Sequence, residues 1–272
     1  MHRRGIRVPA RLPRPQPGSA YRVSDGMLQL GSAATIELSR AALWKPQRFS
    51  GASRSHGEGT RGSRACLLSS LPGLPPPTGF GAFLSVLSEY AAGSPFPTRA
   101  PKRDLVGVHA YPAIRGMARA CREQDMASLL NHAESLVGLG EGLTPSGDDY
   151  VGGVLFGLAV LQEGGARLPW YSMREVASFL EASATRTNRI SAALLADHAA
   201  GHASEVLHRF AIALLGRRSL GTTRRAAFDL IRTGHSTGWD LLTGVWTAMT
   251  LASPGAPPAR RHAWLPAWAA TT

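Results

Sequence analysis

The chain has 272 residues, of which 44% are hydrophobic, and this is enough to bury a core as one large domain or two small ones. Its two cysteines exclude a disulfide-rich framework and favour a reduced, cytoplasmic protein. No apolar run is long enough to span a membrane, and no apolar segment follows Arg3-Arg4 as a secretory signal requires.

The net charge of +12 is concentrated near the N-terminus. Residues 1–64 hold 12 Lys and Arg against 3 Asp and Glu, whereas the rest of the chain holds 18 against 15. The basic segment is rich in Arg, Pro, Gly and Ser, a composition typical of disorder. No helix-turn-helix, zinc or base-stacking motif accompanies it, so we expect no specific nucleic-acid partner.

The first part of the chain predicts little regular structure. Residues 1–20 read as a disordered basic arm, and 21–38 contain two short strand-like pieces around turn residues. Prolines and glycines in 71–79 exclude a helix or a central strand there, and 83–91 favour a short helix. We therefore assign 21–110 to a small β-containing, loop-rich N-terminal region.

The second part of the chain predicts helices. Apolar residues recur at three- and four-residue steps from Pro112, which indicates a continuous helix that ends at Gly138. Similar periodicity with glycine stops predicts helices at about 147–163, 174–184, 190–200, 206–215, 224–232 and 238–251. The expected fold class is α+β, with a mostly helical domain over 111–253, about seven helices around a buried central pair, and a C-terminal extension over 254–272.

One stretch stands out, Gly138-Leu-Gly-Glu-Gly-Leu-Thr-Pro-Ser-Gly-Asp-Asp149. Three glycines at alternate positions favour a tight loop with positive φ, and the Thr-Pro-Ser that follows is typical of a helix start. The stretch therefore predicts a loop that presents N–H groups and two acids at the mouth of a buried helix.

A second stretch repeats part of this pattern. Residues 146–154 and 237–245 both follow Ser/Thr-Gly-x-Asp-x-x-x-Gly-Val. One interpretation is two capping boxes, whose glycines Gly153 and Gly244 let two helices approach closely. The other is that the two helix starts converge and build one site. A cap needs neither Asp148 nor His235, and these extra residues favour a site.

Two stretches resemble the signature motifs of the AllH-type subunit family of oxamate carbamoyltransferase. The first is Gly138–Asp149, and the second is Gly234-His-Ser-Thr-Gly-Trp-Asp240, which overlaps the repeat at 237–245. Thr187-Asn-Arg-Ile-Ser191 also fits the family pattern, and the resemblance covers roughly 112–252, whereas 45–105 depart from it. The resemblance implies a subunit of an enzyme of allantoin (purine) degradation that exchanges oxalurate and phosphate with oxamate and carbamoyl phosphate. Other subunits and a small anionic substrate are the expected partners, with no membrane partner.

The resemblance also suggests which residues carry the chemistry. The catalytic candidates are Asp148, Asp149 and His235. The substrate-binding candidates are Gly140, Gly142, Thr144, Ser146, Gly147, Arg189, Ser191, Ser236, Thr237, Gly238 and Asp240.

Helix N-termini with glycine N–H groups suit a phosphate or a carboxylate, and Arg189 and His235 would add positive charge. The acids would repel such an anion unless they accept hydrogen bonds from its NH₂ group or hold a divalent cation such as Mg²⁺. We expect Asp149 to be engaged in its cap, which makes Asp148 the better candidate for chemistry. No Ser-His-Asp or Cys-His set indicates a covalent intermediate.

A non-catalytic assembly or scaffold subunit is the alternative, in which the glycine motifs serve helix packing and partner contact. His198 and His202 are four residues apart, but Gly201 interrupts the helix between them, so we interpret them as packing or surface residues. Cys121 is expected to fill the core, and Cys66 to lie in a loop.

Overall fold

The computed structural model describes residues 13, 16, 18–41, 45–46, 74–100, 105–215 and 219–252. The chain divides into two compact units, residues 1–47 and 48–272. Most of the predicted basic arm, the Cys66 loop and the predicted extension at 254–272 lie outside the described residues. The domain boundaries drawn from the sequence therefore stay predictions.

The first unit contains a three-stranded antiparallel sheet of β1 (Tyr21–Ser24), β2 (Met27–Leu30) and β3 (Ala34–Glu37), in that order. Asp25 and Gly26 join β1 to β2 with φ of 49° and 74°, the conformation that a two-residue hairpin turn requires. This sheet confirms the β-containing N-terminal part of the predicted fold class.

The second unit is helical. A 3₁₀ helix, Gly79–Phe83, precedes nine α-helices in the described part of the chain. They are α1 (Leu84–Ala91), α2 (Leu105–Glu123), α3 (Met126–Glu134), α4 (Ser146–Glu163), α5 (Met173–Ser183), α6 (Arg189–Ala199), α7 (Glu205–Leu215), α8 (Leu220–Ile231) and α9 (Thr237–Leu251). None of the helices in these described ranges is long and apolar enough to cross a membrane.

The continuous helix predicted from Pro112 to Gly138 is wrong in two respects. It begins earlier, because α2 starts at Leu105 and includes Pro112 in its interior. It is also interrupted, because Gln124 has a φ of 58° and the side chain of Asp125 accepts a hydrogen bond from the N–H of Ser128 at 3.0 Å, which starts α3. An N-cap inside an unbroken apolar pattern is hard to recognise, since the pattern keeps its period on both sides.

The centre of the helical unit is the pair α4 and α9, whose residues are almost all buried, as expected of helices that are apolar all round. The two helices meet at two glycines. A Cβ atom on Gly153 would lie 2.5 Å from the carbonyl oxygen of Leu241, and one on Gly244 would overlap the carbonyl oxygen of Tyr150. The predicted central pair and the predicted close approach are both confirmed.

Candidate functional site

The two repeated motifs lie side by side at the starts of α4 and α9. The hydroxyl oxygens of Thr144 and Thr237 are 3.1 Å apart, and those of Ser146 and Ser236 are 3.2 Å apart. The two central helices therefore begin next to each other, with their N-termini at the same end of the pair.

The N-terminus of α6 is joined to this pair through Asn188. The side-chain oxygen of Asn188 accepts hydrogen bonds from the N–H groups of Ile190 and Ser191, both at 3.0 Å, and so caps α6. Its side-chain nitrogen donates to the carbonyl oxygen of Leu143 at 2.9 Å. We call the place where α4, α6 and α9 begin the junction, and residues 138–144 the glycine loop. All three helix starts are predicted from the sequence, and Asn188 belongs to the quoted stretch 187–191, but its side chain was given no role there.

The glycine loop has the conformation that its sequence predicts. Gly138, Gly140 and Gly142 all have positive φ, at 81°, 119° and 92°. A Cβ atom on Gly138 would overlap the carbonyl oxygen of Arg186, whereas one on Gly142 would meet nothing within 4 Å. The beginning of the loop is therefore packed against the segment before α6, and its middle lies in open space.

Asp148 connects the loop and α6 to α4. Its Oδ1 accepts a hydrogen bond from the N–H of Gly138 at 2.6 Å, and its Oδ2 accepts one from the hydroxyl of Ser191 at 2.6 Å. The hydroxyl of Thr187 also donates to Oδ2. Asp148 is buried, and both of its oxygens are engaged by donors of the protein itself.

Asp240 has a similar role at the start of α9. Its Oδ1 accepts a hydrogen bond from the N–H of Phe80 at 2.5 Å, and nearby the hydroxyl of Thr78 donates to the carbonyl oxygen of His235 at 2.8 Å. Gly79 has a φ of 52°, and a Cβ atom there would overlap Asp240. The sequence of 71–79 predicts only a break in regular structure, so this contact is not evident from the sequence.

Asp149 is arranged differently from Asp148, whose two carboxylate oxygens both accept hydrogen bonds. It is only 4% exposed, and in the described part of the chain its Oδ2 has no hydrogen-bond partner. Burial raises the pKa of Asp149 to about 8. Side-chain hydrogen bonds with Thr237 and Thr144 oppose this rise in pKa, whereas the negative charges of Asp240 and Asp148 add to it.

The capping-box interpretation is wrong for both motifs. The N-cap residues are Pro145 for α4 and Ser236 for α9, and neither side chain makes a capping hydrogen bond. Ser146 and Thr237 are the first residues of their helices, and their hydroxyls face the neighbouring helix instead. The expectation that a cap engages Asp149 fails for the same reason, and it is Asp148 whose oxygens are occupied by protein donors.

The remaining predicted residues fall into two groups. Arg189 and His235 are exposed, at the starts of the last two helices of the junction. Gly147 and Gly238 are buried and serve close packing, because a Cβ atom on them would overlap the carbonyl oxygens of Leu136 and Leu230 respectively. The structure thus brings most of the predicted residues to the junction or to its edge.

Other ionisable groups have structural surroundings. Within the described ranges no group of three or more His, Cys, Asp and Glu side chains is arranged to hold a metal ion, so the Mg²⁺ considered above finds no such ligand set there. His198 is buried edge-on against Phe156, which agrees with a packing role. Cys121 is fully buried, as predicted, and burial raises the pKa of its thiol to about 12.

Comparison with known proteins agrees with the resemblance inferred from the motifs. A family model described as oxamate carbamoyltransferase subunit AllH matches residues 136–249. Neither the curated proteins nor the solved structures contain a significant match to the chain. The matched segment includes the glycine loop and all three helix starts of the junction, and it confirms the predicted resemblance to the family. The 3₁₀ helix Gly79–Phe83 lies outside the matched segment.

Proposed function

We propose, with the AllH match of residues 136–249 as the premise, that the chain is a subunit of a carbamoyltransferase and binds a small anionic substrate at the junction. One observation carries this proposal: three helix N-termini meet around a loop of positive-φ glycines, beside a buried acid with an unused oxygen. The family description supplies oxamate as the substrate class and implies other subunits as partners.

Helix N-termini favour anions because their first N–H groups lack partners within the helix and because the peptide dipoles add along the axis. The helices α4, α6 and α9 have 18, 11 and 15 residues, so each is long enough to act as roughly half a positive charge at its start. The same N–H groups would stabilise negative charge that develops on a carbamoyl oxygen during transfer.

The acids of the junction limit this attraction. The negative charges of Asp148 and Asp240 already offset much of the positive electrostatic potential at the helix N-termini. A further anion is therefore tolerated only if Asp149 is uncharged and if nearby cations contribute. The exposed side chains of Arg189 and His235 supply such positive charge at the edge of the junction.

The proposed reaction passes a carbamoyl group between oxamate and phosphate. In the direction of carbamoyl phosphate formation, an oxygen of phosphate attacks the carbamoyl carbon of oxalurate. The bond from that carbon to the oxamate nitrogen then breaks, and the nitrogen takes up a proton. The role of the junction in this scheme is to hold the carboxylate or phosphate and to orient the carbamoyl group through the hydroxyls of Thr144, Ser146, Ser236 and Thr237.

The test is an assay of carbamoyl phosphate formation from oxalurate and phosphate by the full chain together with its partner subunits. We expect Arg189→Ala and His235→Ala each to lower kcat/KM about tenfold or more, because a hydrogen bond to a charged group contributes roughly 1.5–3 kcal/mol. Asp229→Asn is the control, since Asp229 pairs with Arg225 on α8 and lies outside the proposed site.

A scaffold role is the second candidate, and a specific observation favours it: the carboxylates of Asp148 and Asp240 hold segments of the chain in place. The same assay separates the two functions. If activity is lost only when the whole chain is omitted, and every junction variant keeps the wild-type rate, the chain is a scaffold and the proposal of a substrate site is wrong.

A further inference from the structure

The two adjacent acids at the start of α4, Asp148 and Asp149, are not equivalent. Asp148 accepts hydrogen bonds from the loop and from α6, and Asp240 accepts one from the 3₁₀ helix. Asp149 lies between α4 and α9, almost fully buried, and its Oδ2 has no partner among the described residues. A buried polar atom without a partner costs free energy, and a hydrogen bond to a ligand would recover part of that cost.

We propose that Asp149 is the acid that contacts the bound anion, and that it does so in its neutral form, donating a hydrogen bond from Oδ2 to an anionic oxygen. This inference rests on the proposed function, because it concerns the same site. It assigns Asp149 a role different from those of Asp148 and Asp240, which position parts of the chain.

The surroundings of Asp149 favour the neutral form. The charged groups that act on it are both acids, Asp240 from α9 and Asp148 from its own helix. Thr144 from the glycine loop and Thr237 from α9 face it with hydroxyl groups. Oδ2 has no partner among the described residues, so the inference places the proton of the neutral acid on Oδ2. A pKa of about 8 for Asp149 agrees with a neutral group at pH 7.

The end of the glycine loop lies against Asp149, because the hydroxyl of Thr144 interacts with its carboxyl group. Thr144 ends the loop and is paired with Thr237, and Leu143 is held by the side chain of Asn188. The middle of the loop is exposed, with Leu143 at 68% exposure and open space around Gly142. For a ligand to contact Asp149 from this open side, Thr144 would have to move and exchange its hydrogen bonds with Thr237 and Asp149 for bonds to the ligand.

Titration calorimetry of the full chain with oxamate between pH 6.5 and 9.5 tests the inference, because the oxamate carboxylate stays ionised throughout this range. If only the neutral form of Asp149 binds the anion, the wild-type affinity falls about thirtyfold across the range, since the competent fraction falls by that factor for a pKa near 8.

Asp149→Asn isolates the effect of Asp149 from that of other groups that titrate. Its amide donates a hydrogen bond and does not ionise, so we expect its affinity at pH 6.5 to stay within about threefold of wild type and to keep most of that value at pH 9.5. Asp229→Asn serves as the matched control and should follow the wild-type curve. A second measurement uses wild type alone: at pH 9.5 binding should take up about one proton, seen as a dependence of the heat on the buffer.

Three results overturn the inference. They are a loss of affinity with pH that Asp149→Asn shares with wild type, a loss of binding by Asp149→Asn at pH 6.5 in a folded protein, and the absence of proton uptake by wild type at pH 9.5. In these cases oxamate still binds wild type, and the proposed function stands. If wild type binds oxamate at no pH, the proposed substrate site fails together with the inference.

Discussion

The hydroxyl oxygens of Ser146 and Ser236 lie 3.2 Å apart, although 90 positions separate the two residues in the sequence. Each residue is at the start of a central helix, so their contact places the N-termini of α4 and α9 side by side. Gly153 follows Ser146 by seven positions and Gly244 follows Ser236 by eight, so both glycines lie about two helical turns beyond the contact, and the two helices touch there. The hydroxyl contact at the helix starts and the glycine contact two turns later together define the register of the central pair.

Alanine at this crossing should separate the helices. We expect Gly153→Ala and Gly244→Ala each to lower the free energy of unfolding by about 2 kcal/mol or more, because the added Cβ would overlap backbone atoms that cannot move singly. Urea unfolding measures the effect. Gly221→Ala is the matched control: Gly221 is exposed in α8 with nothing within 4 Å, so alanine there should raise stability by about 0.5–1 kcal/mol. Equal effects at all three positions would contradict the packing explanation.

The glycine loop allows a second matched comparison. Gly138 and Gly142 both have positive φ, so alanine strains the backbone at each, but only at Gly138 does the new Cβ overlap another segment. We expect Gly142→Ala to cost about 1 kcal/mol of unfolding free energy and Gly138→Ala at least about 1 kcal/mol more. Chemical denaturation of both variants is the measurement, and a larger effect at Gly142 would show that the contact with Arg186 contributes nothing.

Asp148 should matter for stability as well as for any activity. Asp148→Ala leaves the N–H of Gly138 and the hydroxyl of Ser191 without their acceptor in a buried place. We expect the free energy of unfolding to fall by about 2–4 kcal/mol, since hydrogen bonds to a charged group are lost together. Hydrogen exchange of the Gly138 amide should become faster. An unchanged melting curve and slow exchange would contradict the connecting role of Asp148, and Asp229→Ala controls for loss of a less buried acid.

Asp149 should make stability depend on pH in an unusual direction. The pKa of Asp149 is raised in the folded state to about 8, from an ordinary value near 3.9 in the unfolded chain. Between these values the folded state keeps a proton that the unfolded state releases, so the free energy of unfolding falls as pH rises through the window and becomes level above it.

Asp149→Asn removes this dependence, because its amide does not titrate. We therefore expect the unfolding free energy of Asp149→Asn, relative to that of wild type, to be higher at pH 8 than at pH 4.5 by at least about 2 kcal/mol. Denaturant unfolding of both proteins at a series of pH values gives the difference directly. A constant difference over this range would show that the folded state does not hold the Asp149 proton.

Local patterns in the sequence were enough to predict most of the helices of the second unit and many of their ends. They also predicted the positive-φ glycine loop and the close approach of the helices at Gly153 and Gly244. These features depend on the period of apolar residues and on what glycine permits, and both are properties of neighbouring residues. The long glycine-acid motif also sufficed to indicate a resemblance to the AllH family, and the match of residues 136–249 confirms this resemblance.

Only the tertiary structure decided how each acid is used. Asp148 finds its hydroxyl partners about 40 positions away and Asp240 finds the N–H of Phe80 160 positions away, so no local pattern could assign them. The capping box expected at Asp149 failed for the same reason, since the hydroxyls of Ser146 and Thr237 pair across helices instead of within them. The pKa of a carboxyl group depends on burial and on the donors around it, and both arise only when distant segments pack together.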